Sequence, residues 1–179
     1  MYIVSGYGKL SLVETVKKTR SKNKMGGTSS QPKEKTVMIS YQWNIQPLAF
    51  RVRDYFEKNG VNVIIDAGDI KGDFLQWMAE SVKAADAIIL LLSPKYEQSV
   101  YCQKEAKFAD SLGKKIIPLV GELGYTSGDG WLAMLIGGQI RYDIVNDFET
   151  TMANILRREL NVIPSTTPKE LSSFDPEKI

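Results

Sequence analysis

The stretch Ala87-Ile88-Ile89-Leu90-Leu91-Leu92 carries no polar side chain over six positions. A half-buried strand alternates apolar and polar residues. An unbroken run of strand length, closed by Ser93-Pro94, therefore reads as a strand buried on both faces. Such strands sit inside parallel sheets with helices on either side.

On its N-terminal side the pattern alternates strand with helix. Thr36–Tyr41 is a β-prone run ending in Gln42-Trp43-Asn44. Pro47 suits a first helical turn, and Leu48, Phe50, Val52, Tyr55 and Phe56 recur at helical spacing up to the stop Asn59-Gly60. Val61–Asp66 is a second strand. A glycine-punctuated loop, residues 67–73, leads to a helix with Asp73 as its cap and Phe74, Trp77, Met78 and Val82 as its apolar stripe.

On the C-terminal side a helix runs from Ser99 toward Leu112, with Ala106, Phe108, Ala109 and Leu112 as its expected packing face and Gly113 as its stop. Ile116–Val120 is a fourth strand, and Pro118 predicts an edge or a strand end there. Residues 121–130 are loop, Trp131–Ile136 a short helix or turn, Gln139–Asp143 a fifth strand, and Phe148–Leu160 a closing helix capped by Asp147. This alternation predicts a flavodoxin-like three-layer α/β sandwich, a five-stranded parallel sheet with helices on both faces. Ligands in such sheets sit beyond the carboxyl ends of the strands. Three features fall there: Ser40–Trp43, the loop from Asp66 to Asp73, and Ser93–Glu105.

Residues 1–34 read as a flexible segment, rich in Lys, Gly and Ser; 35–160 form the domain, and 161–179 read as a tail. The net charge of +2 is too small to argue for nucleic acid or a membrane surface. The basic excess lies before the periodic region, in Lys9, Lys17, Lys18, Arg20, Lys22, Lys24, Lys33 and Lys35, and reads as a solvated tail. No run approaches the roughly 18 apolar residues of a membrane span. The single cysteine cannot form a disulfide within the chain, which fits a reducing, cytoplasmic setting. Histidine is absent, so Ser-His and Cys-His dyads are excluded, the usual zinc sites are not expected, and no metal is assigned.

The loop Gly68-Asp69-Ile70-Lys71-Gly72 matches neither phosphate-binding glycine motif, and its aspartates would repel phosphate. It reads as a rim or interaction loop. The rim carboxylates are Asp66, Asp69, Asp73 and Glu105. Glu105 follows Tyr101 by four residues, so both lie on one helix face. That spacing could serve a nucleotide site, but on spacing alone it favours an ordinary amphipathic helix, since such pairs are common on solvated faces. Cys102, without a histidine partner, reads as a small packing residue.

Five segments in register resemble the TIR (Toll/interleukin-1 receptor homology) family across residues 35–160. Met38-Ile39-Ser40-Tyr41 is similar to the family's first box. The segment 66–73 sits where the family has its BB loop. Ser93-Pro94, Ser99-Val100-Tyr101-Cys102-Gln103-Lys104-Glu105 and Gly113-Lys114-Lys115-Ile116-Ile117-Pro118-Leu119 follow in the family's order. TIR domains divide into signalling scaffolds and enzymes that cleave NAD+ at the nicotinamide–ribose bond. The receptor-type Arg-Asp and Pro-Gly of the BB loop and the late Phe-Trp box are absent here, which weakens the receptor-scaffold reading, and the enzymatic branch carries a glutamate in the segment this chain shows as Tyr101-Cys102-Gln103-Lys104-Glu105. The resemblance implies NAD+ as a substrate rather than a cofactor, with Glu105 as the catalytic carboxylate and Tyr101 where many members have tryptophan. Phe74 resembles the aromatic that closes over the substrate, and Tyr41 the first-box aromatic lining the pocket. Gln42 and Trp43 stand where many members have arginine, and Ser99 opens the glutamate segment. The resemblance further implies a homo-oligomer or filament of TIR domains acting in innate immune or cell-death signalling. The alternative from another class is a non-catalytic adaptor working only through TIR–TIR contact.

Overall fold

Residues 34–66, 68 and 73–165 are described by a computed structural model of the chain. The basic N-terminal run, most of the loop between Asp66 and Asp73, and residues 166–179 lie outside the described residues. Five strands pair in parallel: β1 (Thr36–Ser40), β2 (Asn62–Ile65), β3 (Ala87–Leu92), β4 (Lys115–Val120) and β5 (Tyr142–Asp143). Their spatial order is β2-β1-β3-β4-β5. The register sets Met38 beside both Ile64 and Ile88, and Leu90 beside Pro118. This is the expected flavodoxin-like sandwich. Every residue of β3 is buried, as its uniform apolarity requires.

The helices are α1 (Gln46–Lys58), α2 (Phe74–Ala84), α3 (Pro94–Gln98), α4 (Val100–Ser111), α5 (Trp131–Ile136) and α6 (Phe148–Ile155). The last runs on into a π-helical turn, Leu156–Leu160. Strand side chains alternate between faces. Val37, Ile39, Ile89, Leu91, Ile117 and Leu119 point to one face, where Val52 and Phe56 of α1 and Met152 and Ile155 of α6 cover them. The intervening residues point the other way, toward α2 and α4, which pack on each other and on β1. Ser40 belongs to this second set. It ends β1 on the face that α4 covers.

Several elements differ from the sequence reading, each for a physical reason. The helix expected from Ser99 is preceded by a separate short one, α3, because two serines cap in succession. Ser93 Oγ accepts from the Tyr96 amide at 3.1 Å, and Ser99 Oγ from the Cys102 amide at 3.3 Å. Leu112, expected to pack, is exposed, while Cys102 and Glu105 are buried with Ala106 and Ala109. The fifth strand loses its N-terminal part, because Gln139, Ile140 and Arg141 are exposed with no partner strand among the described residues. It ends where expected, at Asp143, which accepts from the amides of Val145 and Asn146 and turns the chain. β4 is therefore interior, yet β5 pairs only with Leu119 and Val120. At Pro118 the far side of β4 has no strand to supply with a hydrogen bond, which is how proline is tolerated. Packing also runs past Leu160. Val162 lies against the core, and the Ser165 amide donates to Asn59 Oδ1 at 2.7 Å.

Candidate functional site

The sheet order reverses between β1 and β3, because the chain leaves β1 for β2 on one side and returns to β3 on the other. Open parallel sheets leave a crevice at that point, beyond the carboxyl ends of the strands. A cleft of about 440 Å³ lies there. β1 and the segment after it supply Ser40, Tyr41, Gln42 and Trp43. The segments around α2 supply Asp66, Gly68, Phe74 and Trp77, and α4 with its cap supplies Ser99, Tyr101, Cys102 and Glu105.

Glu105 is the chemical centre of this cleft. It is 8% exposed, although one turn earlier on the same helix Tyr101 is 57% exposed. The solvated-face alternative for this pair is thereby corrected. α4 turns Glu105 toward β1 and leaves Tyr101 at the mouth. Ser40 Oγ donates to Glu105 Oε2 at 2.5 Å and lies 2.9 Å from the Tyr96 hydroxyl. Burial pushes the Glu105 carboxyl up to about 7; the Ser40 hydrogen bond opposes the rise, and the Asp66 charge adds to it. Such a group changes charge near neutral pH.

The walls are aromatic. Phe74 stacks on Trp77 at 6.2 Å and meets Tyr101 edge-on at 5.7 Å. Tyr41 and Trp43 face each other at 6.5 Å, tilted by 39°. The Tyr41 hydroxyl donates to the Asp66 carbonyl at 2.6 Å and accepts from Gln46 Nε2 at 3.1 Å, so its ring is fixed. Gln42 spends its side-chain oxygen on the Asn44 amide. Among the described residues the lining carries the carboxylates of Asp66 and Glu105 and no lysine or arginine. An aromatic, negatively biased cleft suits a flat cationic ring.

All seven site residues expected from sequence, Tyr41, Gln42, Trp43, Phe74, Ser99, Tyr101 and Glu105, line this one cleft. Ser99 enters it as a helix cap. The sequence places Trp77 only on a helix stripe, Asp66 only as a rim charge, and Ser40 on the rim and in the first box but with no role in the site. Tyr96 carried no signal, since its partner lies 56 positions away. Cys102 is 5% exposed, its thiol faces the Tyr41 carbonyl at 3.6 Å, and burial pushes the thiol up to about 11. It is packing, as expected. A smaller cleft of about 230 Å³ between β4 and β5 is lined by Lys115, Tyr142 and Glu159, which already satisfy one another. Among the described residues no group of three or more acidic or thiol side chains could hold a metal ion, and no helix is long and apolar enough to cross a membrane.

A family model described as TIR domain matches residues 37–156. Among solved structures, the chain is similar to the TIR domain of the Toll-related receptor TRR-2 from Hydra magnipapillata. The identity is 16%, the match covers 70% of this chain and 97% of that one, and the TM-score is 0.54. At that identity the likeness is one of fold. The TIR domains of the activated Roq1 resistosome, which recognises the pathogen effector XopQ, align at 12% identity over 48% of this chain and 57% of that one, with a TM-score of 0.43. Comparison with curated proteins found no match.

Proposed function

The chain belongs to the TIR domain family, and from that premise we propose that the Glu105 cleft binds NAD+ and cleaves its nicotinamide–ribose bond. The products are nicotinamide and ADP-ribose or a cyclic ADP-ribose isomer, and the role is in innate immune or cell-death signalling. One observation carries the reading: a single carboxylate, buried and held by a serine, stands inside an aromatic cleft that has no cation in its described lining.

The nicotinamide of NAD+ is a pyridinium. Its positive ring stacks on the aromatic wall and is drawn by Asp66 and Glu105. It leaves with the bonding electron pair as a neutral base, so no general acid is needed. The ribose passes through an oxocarbenium-like state, as in glycoside hydrolysis. The Glu105 carboxylate accepts from a ribose hydroxyl and stabilises the positive charge developing at C1′. Water then attacks C1′ and releases a proton, or an adenine nitrogen attacks and closes the ring. Among the described residues the lining offers nothing cationic to the diphosphate, so their contribution to affinity rests on stacking.

Incubating the purified protein with NAD+ and separating the products tests this directly. Nicotinamide release that disappears in Glu105→Ala, with folding intact, is the expected result. Undiminished turnover in that variant removes Glu105 from the chemistry.

Exposed apolar side chains on and near α5 favour a second reading, association between TIR domains. Leu123 is 74%, Met134 85% and Ile140 61% exposed. In an adaptor acting only by such contact, Met134→Lys changes oligomeric state in light scattering and NAD+ stays intact.

A further inference from the structure

Resting on the NAD+-cleaving reading, we propose that Ser40 and Tyr96 are positioning residues for Glu105. They form a relay in which Tyr96 donates to Ser40, Ser40 donates to Glu105 Oε2, and Oε1 is left to the substrate.

The direction of the relay follows from proton counting. An ionised carboxylate only accepts, so the one Ser40 hydroxyl hydrogen lies toward Oε2, 2.5 Å away. The contact between Ser40 Oγ and the Tyr96 hydroxyl, 2.9 Å, then has tyrosine as its donor. Both residues are sealed off: Ser40 is 1% exposed and Tyr96 0%. Burial also holds the Tyr96 phenol well above its ordinary range, so it remains a donor at any pH the protein meets.

The relay has a rigid base. Ser40 is the last residue of β1, and its strand pairs on both sides. Tyr96 is fixed at its amide by the Ser93 cap, and its ring lies against Trp131 at 6.5 Å. The Trp131 indole donates to the Glu97 carbonyl at 2.9 Å, next to Tyr96 in the chain. Glu105 thus receives a hydrogen bond from a central strand rather than from a loop. Its Oε1 has no partner among the described residues and is not among the buried unpaired atoms. It is the oxygen free to meet a ribose hydroxyl. The titratable groups that face Glu105 are Tyr96 from α3, Cys102 from its own helix and Asp66 after β2. All three oppose its ionisation or are neutral, and Ser40 is the group that favours it.

The test combines the pH profile of NAD+ turnover with a carbon-13 carboxyl NMR titration of Glu105 in the full chain. Ser40→Ala is expected to move the Glu105 titration and the acid limb of turnover together to higher pH by about one unit, and to cut turnover at neutral pH about tenfold or more. Ser40→Thr retains the hydroxyl and restores most of both. Tyr96→Phe keeps the ring and shifts both readouts the same way by less, through kcat rather than KM. A Tyr96→Phe or Ser40→Ala protein whose Glu105 titration and acid limb coincide with wild type overturns the relay. If Ser40→Ala does not fold, Tyr96→Phe decides alone. If the wild-type protein releases no nicotinamide, the NAD+-cleaving reading fails, and the NMR titration still upholds or overturns the relay.

Discussion

The Trp43 ring lies against the backbone of Gly68, so closely that a β-carbon at Gly68 would fall 2.6 Å from Trp43 Cη2. Gly68 also has φ of +90°, which side-chain-bearing residues rarely adopt. Two independent demands for glycine meet at one wall of the cleft. Gly68→Ala is expected to cost about 1–2 kcal/mol of stability and to raise KM for NAD+ by displacing the indole. In a Trp43→Ala background only the backbone strain remains, so the penalty shrinks. Thermal melts of the four proteins in this cycle measure the coupling.

The Glu105 carboxyl titrates at about 7 in the fold and at about 4.5 in the unfolded chain. Between those values the folded protein retains a proton that the unfolded chain has lost. Stability therefore falls as pH rises from about 4.5 to 7, by roughly 3 kcal/mol from this group, and is flat above. Under the proposed activity, turnover is expected to run the opposite way, rising through pH 7 as the carboxylate forms. Glu105→Gln is expected to be inactive and, at pH 8, more stable than wild type. At pH 4.5 that advantage disappears. Paired melts at the two pH values decide it.

The thiol of Cys102 is buried and pushed up to about 11. Iodoacetamide at pH 8 is expected to leave it unmodified in the folded protein and to label it fully after unfolding in urea. Fast labelling of the native protein, read by mass spectrometry, refutes the packing role.

Phe74 touches both Trp77 and Tyr101 and so joins two walls. Phe74→Ala is expected to weaken stacking by about 1–2 kcal/mol, a fivefold to thirtyfold rise in KM with a smaller change in kcat. A drop confined to kcat, with KM unmoved, places the ring outside the binding surface.

Much of this arrangement is legible in the sequence. β3 could be read residue for residue because burial on both faces leaves an unbroken apolar signature. Asp73 and Asp147 announced their helices because capping is local: each accepts an amide two or three positions ahead. The short fifth strand was overread because Gln139, Ile140 and Arg141 have strand-like composition but no partner strand, and exposure leaves them as loop. Ser99 is legible as a helix start, but a five-residue helix such as α3 is too short to leave a periodic signature between Ser93-Pro94 and Ser99. The burial of Glu105 was out of reach of spacing. Its partner Ser40 is 65 positions earlier, and only the crossover that sets β3 beside β1 brings them together. Periodicity places a carboxylate on a helix; the sheet decides what covers it.

That crossover has a bearing on the chain during its synthesis. A nascent chain that has completed β1 and β2 but not yet seated β3 beside β1 has Ser40 without Tyr96 or Glu105. A misfolded copy that fails to form this pairing carries Glu105 as an ordinary wet carboxylate. Non-local strand pairings of this kind are made only after loop-closure entropy has been overcome. If the cleft cleaves NAD+ as proposed, that power is withheld from a chain that has not yet paired β3 with β1, and comes only with the finished sheet.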